Sequence, residues 1–391
     1  MRKSVSGLNK TIYVLGAGAS RDGGIPLTKE ILRVGYQLCS DLSKRLGEKS
    51  IEYLSKEKQE QDKKIVSAKD HDFLDYLNYK HLSNFKKVYN FFEWVLHWNH
   101  DPEYLPDIEE LWGILEIASE RNANFGYGRT TSLEIKNALK SLMNYVLWGC
   151  RICDEPEWHI VYTIPTSNHY EDFVKKLPKE RGIISLNYDV MIDMAIRKAN
   201  LPIDYGSDFI PFHLEDIKLR EKKRSETVLL LKPHGSFNWL YCPTCNRIED
   251  FGPFHVSNIS DEQSPYEEID ADLPCKYDQT LRQPAIVPPS LIKEYSNPHL
   301  EKIWQRTSEE LKKAKKIVFI GYSLRGADIY IKYLMRQCLS VNYHEMYEKQ
   351  GVLITVVNKS KESIKEYERW FGKNKMEAFE GTFSDYVEKQ M

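Results

Sequence analysis

The 391-residue chain contains no run approaching the roughly 20 apolar residues that a membrane-crossing helix needs. Its first ten residues, MRKSVSGLNK, lack the apolar core of a secretory leader. Net charge is almost absent, at −2, so the overall balance carries no footprint of nucleic-acid binding. There is no low-complexity tract and no fixed-period repeat, which sets aside solenoids and arrays. The seven cysteines are odd in number and scattered, with Cys39, Cys150, Cys153 and Cys338 in amphipathic or apolar contexts. That usage fits reduced, buried thiols better than a disulfide framework. Together these absences predict a soluble cytoplasmic protein that neither enters membranes nor binds nucleic acid directly. What is present is core-forming material, 41% hydrophobic and 12% aromatic, enough for one large domain or two to three smaller units.

The strongest positive pattern is a recurrence. Short apolar runs end abruptly in small or polar residues: TIYVLG into Ala17-Gly18-Ala19-Ser20, GIISL into Asn187-Tyr188-Asp189, VLLLKP into His234-Gly235-Ser236, KIVFIG into Tyr322-Ser323-Leu324, and VLITVV into Asn358-Lys359-Ser360. Near-continuous apolar runs are the mark of strands covered on both faces, hence of a parallel sheet flanked by helices. In such α/β sheets ligands bind outside the carboxyl ends of the strands, which is where these Gly, Asn, His and Ser residues fall.

Two stretches break the pattern. Residues 41–177 show helical rather than strand periodicity, as in PDIEELWGILEIAS and SLEIKNALKSLMNYVLWGC, after a helix whose apolar spacing runs through Ile31, Leu32, Gly35, Leu38 and Leu42. The expected organisation is a discontinuous α/β core over 1–40 and 178–391, a large helical insertion over 41–177 and a small cysteine-containing insertion over 241–284. The aromatics Phe91, Phe92, Trp94, Trp98 and Trp112 are read as helical core, with an oligomer surface as the alternative. KEKQEQDKKI is read as a solvated helix or loop.

Several constellations carry chemistry. The glycines of GAGAS and GGIP permit close backbone approach, and the helix after Pro26 is expected to aim its free N–H groups at an anion, a phosphate or pyrophosphate. The alternative for GAGAS is a tight turn. The dinucleotide fingerprint G-x-G-x-x-G fails at Arg21, and no acidic residue closes a second strand about 20 residues later, which disfavours an ordinary hydride-transfer enzyme. The Asn187 carboxamide can orient a water or a sugar hydroxyl. Asp189 either caps the following helix or contacts ligand. His234 titrates near neutrality and suits a general base. Gly321, Ser323 and Asn358 close the set. Cys242-Pro243-Thr244-Cys245 has half the spacing of a tetrahedral zinc site; Cys275, and His255 as a fourth group, are the downstream candidates, and a metal-free knuckle is the alternative.

As an ordered set, GAGAS…GGIP, SLNYD, KPHGSFNW, CPTC, GYSL and VVN resembles the sirtuin family, and more closely its NAD-consuming branch in prokaryotic anti-phage defence, over about residues 11–40 and 180–391. The resemblance implies a sirtuin-type Rossmann-like sheet with an NAD site at its carboxyl edge. It implies that Gly16, Ala17, Gly18 and Ser20 contact the pyrophosphate side, that Asn187 orients the nicotinamide ribose and the attacking water, and that His234 is the base at the ribose hydroxyls. Gly321, Ser323 and Asn358 would hold the adenosine half, with Asp189 beside them among the nucleotide-binding residues. Deacylating sirtuins carry Asp-Phe-Arg where this chain has Leu27-Thr28-Lys29, Gln where it has Leu186, and two cysteine pairs where it has one. The expectation is therefore an NAD glycohydrolase that depletes NAD during phage attack. It would work as a homo-oligomer or under a ring-forming ATPase of the DNA-translocase type. A protein deacylase and a non-catalytic nucleotide sensor are the alternatives.

Overall fold

The computed structural model describes residues 10–56, 79–123, 125, 130–153, 159–162, 168–178, 181–211, 226–250, 274–287, 297–324, 328–345, 352–373 and 376–391. In chain order the strands begin with β1 (Thr11–Leu15), β2 (Cys150–Cys153), β3 (His159–Tyr162), β4 (Arg181–Ser185) and β5 (Ile203–Asp204). They continue with β6 (Phe209–Pro211), β7 (Val228–Leu231), β8 (Gly235–Tyr241), β9 (Ile248–Asp250) and β10 (Gln283–Ile286). The last are β11 (Lys316–Ile320), β12 (Leu353–Asn358) and β13 (Met376–Glu380).

All five apolar runs become strands of one seven-stranded sheet, ordered β13-β12-β11-β1-β4-β7-β5 and parallel throughout. The fold is α/β with a Rossmann-like parallel sheet, as expected. Ile12, Val14, Leu15, Val318, Phe319, Ile320 and Val356 are essentially inaccessible, which is why these strands read as unbroken hydrophobic runs. Two edge strands escape the sequence pattern: β5 has only two residues, and β13, MEAFE, is partly exposed along its length. Central β1 lies between β4 and β11, so the chain crosses from one side of β1 to the other. That is the position at which a crevice opens above the strand ends.

By packing, the chain divides into two compact units. The sheet unit holds the described residues up to Gly23, those from Asn168 to Asp250 and those from Pro274 onward; the other holds those from Gly24 to Tyr162. The helix Asn168–Lys176 belongs with the sheet, because Phe173 meets Tyr13 edge-on at 5.1 Å and Phe383 at 5.2 Å. Two helices of the sheet unit start on side-chain caps. Asn297 accepts from His299 and Leu300 N–H ahead of the helix Pro298–Lys313, and Thr382 and Asp385 form a reciprocal box starting Phe383–Gln390. A second sheet of this unit, β10-β8-β9-β6, carries the CPTC segment on the turn between β8 and β9.

The second unit contains the helices Ile31–Lys56, Tyr79–Val95, Ile108–Glu120 and Ser132–Gly149 and the antiparallel pair β2–β3. Ile31, Leu32, Leu38 and Leu42 are buried as their spacing predicts. So are Phe91, Phe92, Trp98 and Trp112, whereas Trp94 is 67% exposed and is not core. The charged run KEKQEQDKKI lies outside the described residues except for its first lysine.

Candidate active site

The loop after β1 is held by backbone contacts. Gly16 is extended, and a helical turn, Ala17–Arg21, begins directly at the strand end. The helix expected after Pro26 therefore does not supply this turn; the 3-10 turn Thr28–Glu30 belongs to the other unit. Gly16 N–H donates to Ile320 carbonyl at 2.9 Å and Gly18 N–H to Gly321 carbonyl at 2.8 Å. Gly321 has φ +63°, and a Cβ there would lie 2.2 Å from Ala19 N and 2.4 Å from Gly18 C. Glycine is required because the ends of β1 and β11 interlock backbone to backbone.

Ser20, Asn187 and Asp189 meet beneath this loop. Ser20 is inaccessible, and its hydroxyl donates to Asp189 Oδ2 at 2.7 Å. The same oxygen accepts from Asn187 Nδ2 at 3.0 Å and lies 2.9 Å from the Tyr170 hydroxyl. A hydroxyl has one proton and two lone pairs, so Tyr170 must be the donor. The other Asn187 amide hydrogen goes to Gly16 carbonyl at 2.9 Å. Both amide hydrogens are thus held by the glycine loop, and the carboxamide orientation is set: Oδ1 is the atom with which Asn187 accepts. Asp189 Oδ1 accepts from Met191 N–H at 3.0 Å, the helix-entry role foreseen for it. Burial pushes the Asp189 carboxyl up; the Lys232 ammonium and the Ser20 and Met191 donors pull the other way. Burial also raises the Tyr170 phenol well above its usual value, reinforced by the Asp189 charge.

His234 follows β7, the neighbour of β4. Its Nδ1 is 3.1 Å from Leu186 carbonyl, so Nδ1 carries the proton and Nε2 is the basic nitrogen. This bond uses the backbone carbonyl of residue 186 and not its side chain. The imidazole is thereby bonded to the residue immediately before Asn187. Gly235, φ +80°, turns the chain tightly: a Cβ there would lie 2.0 Å from Ala285 O. Val287 N–H donates to His234 carbonyl at 2.8 Å and Tyr188 hydroxyl to Val287 carbonyl at 2.6 Å.

The remaining sequence candidates sit at the other strand ends. Asn358 Nδ2 donates to Tyr322 carbonyl at 3.2 Å and its Oδ1 accepts from Ser360 N–H at 2.9 Å, so its side chain ties β12 to the loop after β11. Ser323 is half-buried on that loop. The structure brings Gly16, Ala17, Gly18, Ser20, Asn187, Asp189 and Gly321 into one bonded cluster, joins His234 to it through Leu186, and leaves Asn358 one loop away.

Residues that the sequence reading passed over complete the floor. Lys232, fully buried, donates to Asp189 carbonyl at 2.6 Å, Ser236 Oγ at 2.6 Å and Asp193 Oδ2 at 3.1 Å. Tyr205 hydroxyl donates to Asp193 at 2.6 Å, Ser236 to Asn238 at 2.5 Å, and Asn238 to Asp250 at 2.9 Å. A lysine closing the run VLLLK and an aspartate inside MIDMAI were the available signals.

The cysteine cluster forms a second constellation. Cys242, Cys245, Cys275 and Asp278 each offer a ligand atom, and these atoms lie within 4.8 Å of one another. The missing second pair is C-x-x-D, Cys275-Lys276-Tyr277-Asp278, and the two turns have the same geometry. Cys242 carbonyl accepts from Asn246 N–H and Cys275 carbonyl from Gln279 N–H; each Cys N–H donates five residues on, to Arg247 and Thr280. Asn246 and Gln279 both have positive φ, 56° and 61°. Cys245 and Cys275 Sγ are 3.7 Å apart, matching the edge of about 3.8 Å in a tetrahedron with zinc–sulfur bonds of ~2.3 Å. The Thr280 N–H holds Asp278 ionised, its carboxyl lowered to about 2. The donor set fits a tetrahedral metal ion. Asp278 stands where His255, which lies outside the described residues, was expected.

Comparison with known proteins agrees with the strand-end motifs. Among solved structures, a Sir2 homologue in complex with NAD is 12% identical over 98% of this chain and 88% of its own, with TM-score 0.40. A Sir2 homologue mutant in complex with ADP-ribose is 10% identical over 98% of this chain and 91% of its own, with TM-score 0.36. No curated protein matches the chain in sequence. Residues 181–378, slightly more than half of the chain, match the SIR2-like domain, and they contain Asn187, His234, the cysteine cluster and four of the five motif-bearing strands, β4, β7, β11 and β12. The chain belongs to the SIR2-like family.

Proposed function

We propose that this chain hydrolyses NAD at the bond between nicotinamide and ribose. The observation that carries the reading is the pairing of a fixed carboxamide and an oriented imidazole: Asn187 held by Gly16 and Ser20, His234 held by the carbonyl before Asn187. Both lie at the carboxyl ends of adjacent parallel strands, where such sheets bind nucleotides.

In the proposed reaction the C–N bond breaks and its electron pair stays with nicotinamide, which leaves neutral. Positive charge develops on the ribose carbon. A water whose O–H donates to Asn187 Oδ1 supplies its lone pair to that carbon. The released proton passes to Nε2 of His234, directly or through a ribose hydroxyl, and then to solvent. The products are nicotinamide, ADP-ribose and one proton. The glycine loop, Gly16 to Gly18, lies along the pyrophosphate, Gly321 and Ser323 near the adenosine half; Ser20, inaccessible and bonded to Asn187 and Asp189, acts with Asp189 and Asn358 by holding these loops rather than by touching the ligand. The leucine at 186 and the Leu27-Thr28-Lys29 segment favour water over an acyl-lysine as acceptor.

The cysteine cluster is a structural zinc site in this reading. Zinc would be held by Cys242, Cys245, Cys275 and Asp278 and would close the two turns on each other, with no part in bond cleavage. The resemblance supports a role as an anti-phage effector that depletes cellular NAD, kept in check by self-assembly or by a ring-forming ATPase partner.

Incubation of the purified chain with NAD, alone and with proteins encoded beside it, tests the reading. Nicotinamide and ADP-ribose in equal amounts are expected. O-acetyl-ADP-ribose with acetylated peptide present assigns a deacylase instead. Binding of NAD with no nicotinamide released under any condition assigns a sensor.

A further inference from the structure

We infer that Lys232 is the positioning residue that fixes Asn187 and His234 relative to each other; the inference deepens the hydrolase reading and, for its kinetic part, rests on it. The side chain is wholly inaccessible, so it touches no substrate. An ammonium has three hydrogens, and three acceptors surround this one: Asp189 carbonyl, Ser236 Oγ and Asp193 Oδ2, at 2.6, 2.6 and 3.1 Å. Each acceptor belongs to a different piece of the site. Asp189 is two residues after Asn187 and holds Ser20, which holds Asn187. Ser236 is two residues after His234 and sits on β8. Asp193 lies on the helix Met191–Lys198, whose first turn Asp189 enters.

An apolar residue at 232 can bridge none of these, and no neutral side chain offers three hydrogens from one nitrogen. A buried charge is retained only where it is fully bonded, and here the bonding converges on the two loops that carry the reacting groups. The ammonium also opposes the effect of burial on the Asp189 carboxyl, whose Oδ2 accepts from Ser20. Loss of the bridge removes the buried side-chain tie between the loop after β4 and the loop after β7, leaving the His234–Leu186 bond and the Phe237 N–H to Tyr188 carbonyl bond, 3.2 Å, to hold them together.

Removing Lys232 alone strands the Asp193 charge, so the informative variant is the double substitution Lys232→Met with Asp193→Asn, which removes both charges and leaves an oxygen for Tyr205. Two readouts are taken on the full chain: steady-state NAD cleavage, and ring nitrogen spectra of His234, assigned by comparison with His234→Gln. Expected is a folded protein whose kcat falls about 10²-fold, the scale of a misplacement of about 1 Å, with KM little changed, and whose His234 loses the Nδ1–H form. If the folded double variant keeps the wild-type His234 spectrum, the inference is overturned, whatever its activity. If the spectrum changes but wild-type protein cleaves no NAD, Lys232 still positions His234 and the hydrolase reading alone falls. Should the double variant not fold, Lys232→Arg, which keeps the charge but not the three-acceptor geometry, is judged by the same spectrum.

Discussion

Gly321 is a position where a single added methyl group strikes the backbone of the site. Two independent terms oppose Gly321→Ala. The backbone sits at φ +63°, and an L-residue in that region costs about 1–2 kcal/mol. The new Cβ would also meet Ala19 N at 2.2 Å and Gly18 C at 2.4 Å. Those atoms are backbone of the glycine loop and cannot rotate away, so relief requires parting the ends of β1 and β11, an overpacking cost of about 1–3 kcal/mol. The sum is about 2–5 kcal/mol. Gly113→Ala is the internal control: it lies inside the helix Ile108–Glu120 and nothing lies within 4 Å of the added Cβ, so neither term applies and alanine is favoured there by about 0.5–1 kcal/mol. Urea unfolding followed by circular dichroism, with equal m-values as the condition for comparison, measures the difference. Gly321→Ala should be the less stable by at least about 1 kcal/mol and should also release NAD, because the displaced loop is the one that holds Asn187. Equal stability of the two variants would refute the interlocked-loop account.

Other expectations are direct. Asn187→Ala and His234→Ala should each lower NAD cleavage by about 10²-fold or more while circular dichroism shows a retained fold; full activity in both would remove the site assignment. Cys275→Ser should abolish stoichiometric zinc in elemental analysis of protein purified without chelator, and so should Asp278→Ala, which distinguishes a four-ligand site from a bare cysteine trio. His169 is packed on Tyr170 and edge-on to Phe383, ring centres 5.5 and 5.3 Å away. Burial holds its pKa below the ordinary value, with Asp22 acting the other way. A depressed histidine stabilises the fold above the unfolded value near 6.5, and that stability is lost as pH falls below it, because the unfolded chain takes up the proton more readily. His169→Phe should therefore flatten the loss of thermal stability between neutrality and mildly acidic pH; an unchanged slope would show that the ring is solvated.

Much of this site was legible in the chain. Five apolar runs ending in Gly, Asn or His became five neighbouring parallel strands, because a strand buried on both faces leaves an unbroken hydrophobic record and its functional residues can stand only at its end. Edge strand β13 left no such record, since MEAFE is partly exposed and carries charge. Trp94 misled because an aromatic cluster on a helix does not reveal which member faces outward; at 67% exposure it is the one that does.

Strand identity, the parallel arrangement and the placement of Asn187 and His234 at strand ends thus came from patterns local to the chain, each within a few residues. The bonding that makes them a site did not, because it joins residues far apart along the chain: Ser20 to Asp189, Asp189 to Lys232, Cys242 to Asp278. Such pairs leave no periodicity to read. Only folding, which brings β1, β4 and β7 side by side and sets two turns face to face, decides that a buried lysine lies beneath the site and that an aspartate joins the three cysteines as a fourth candidate ligand.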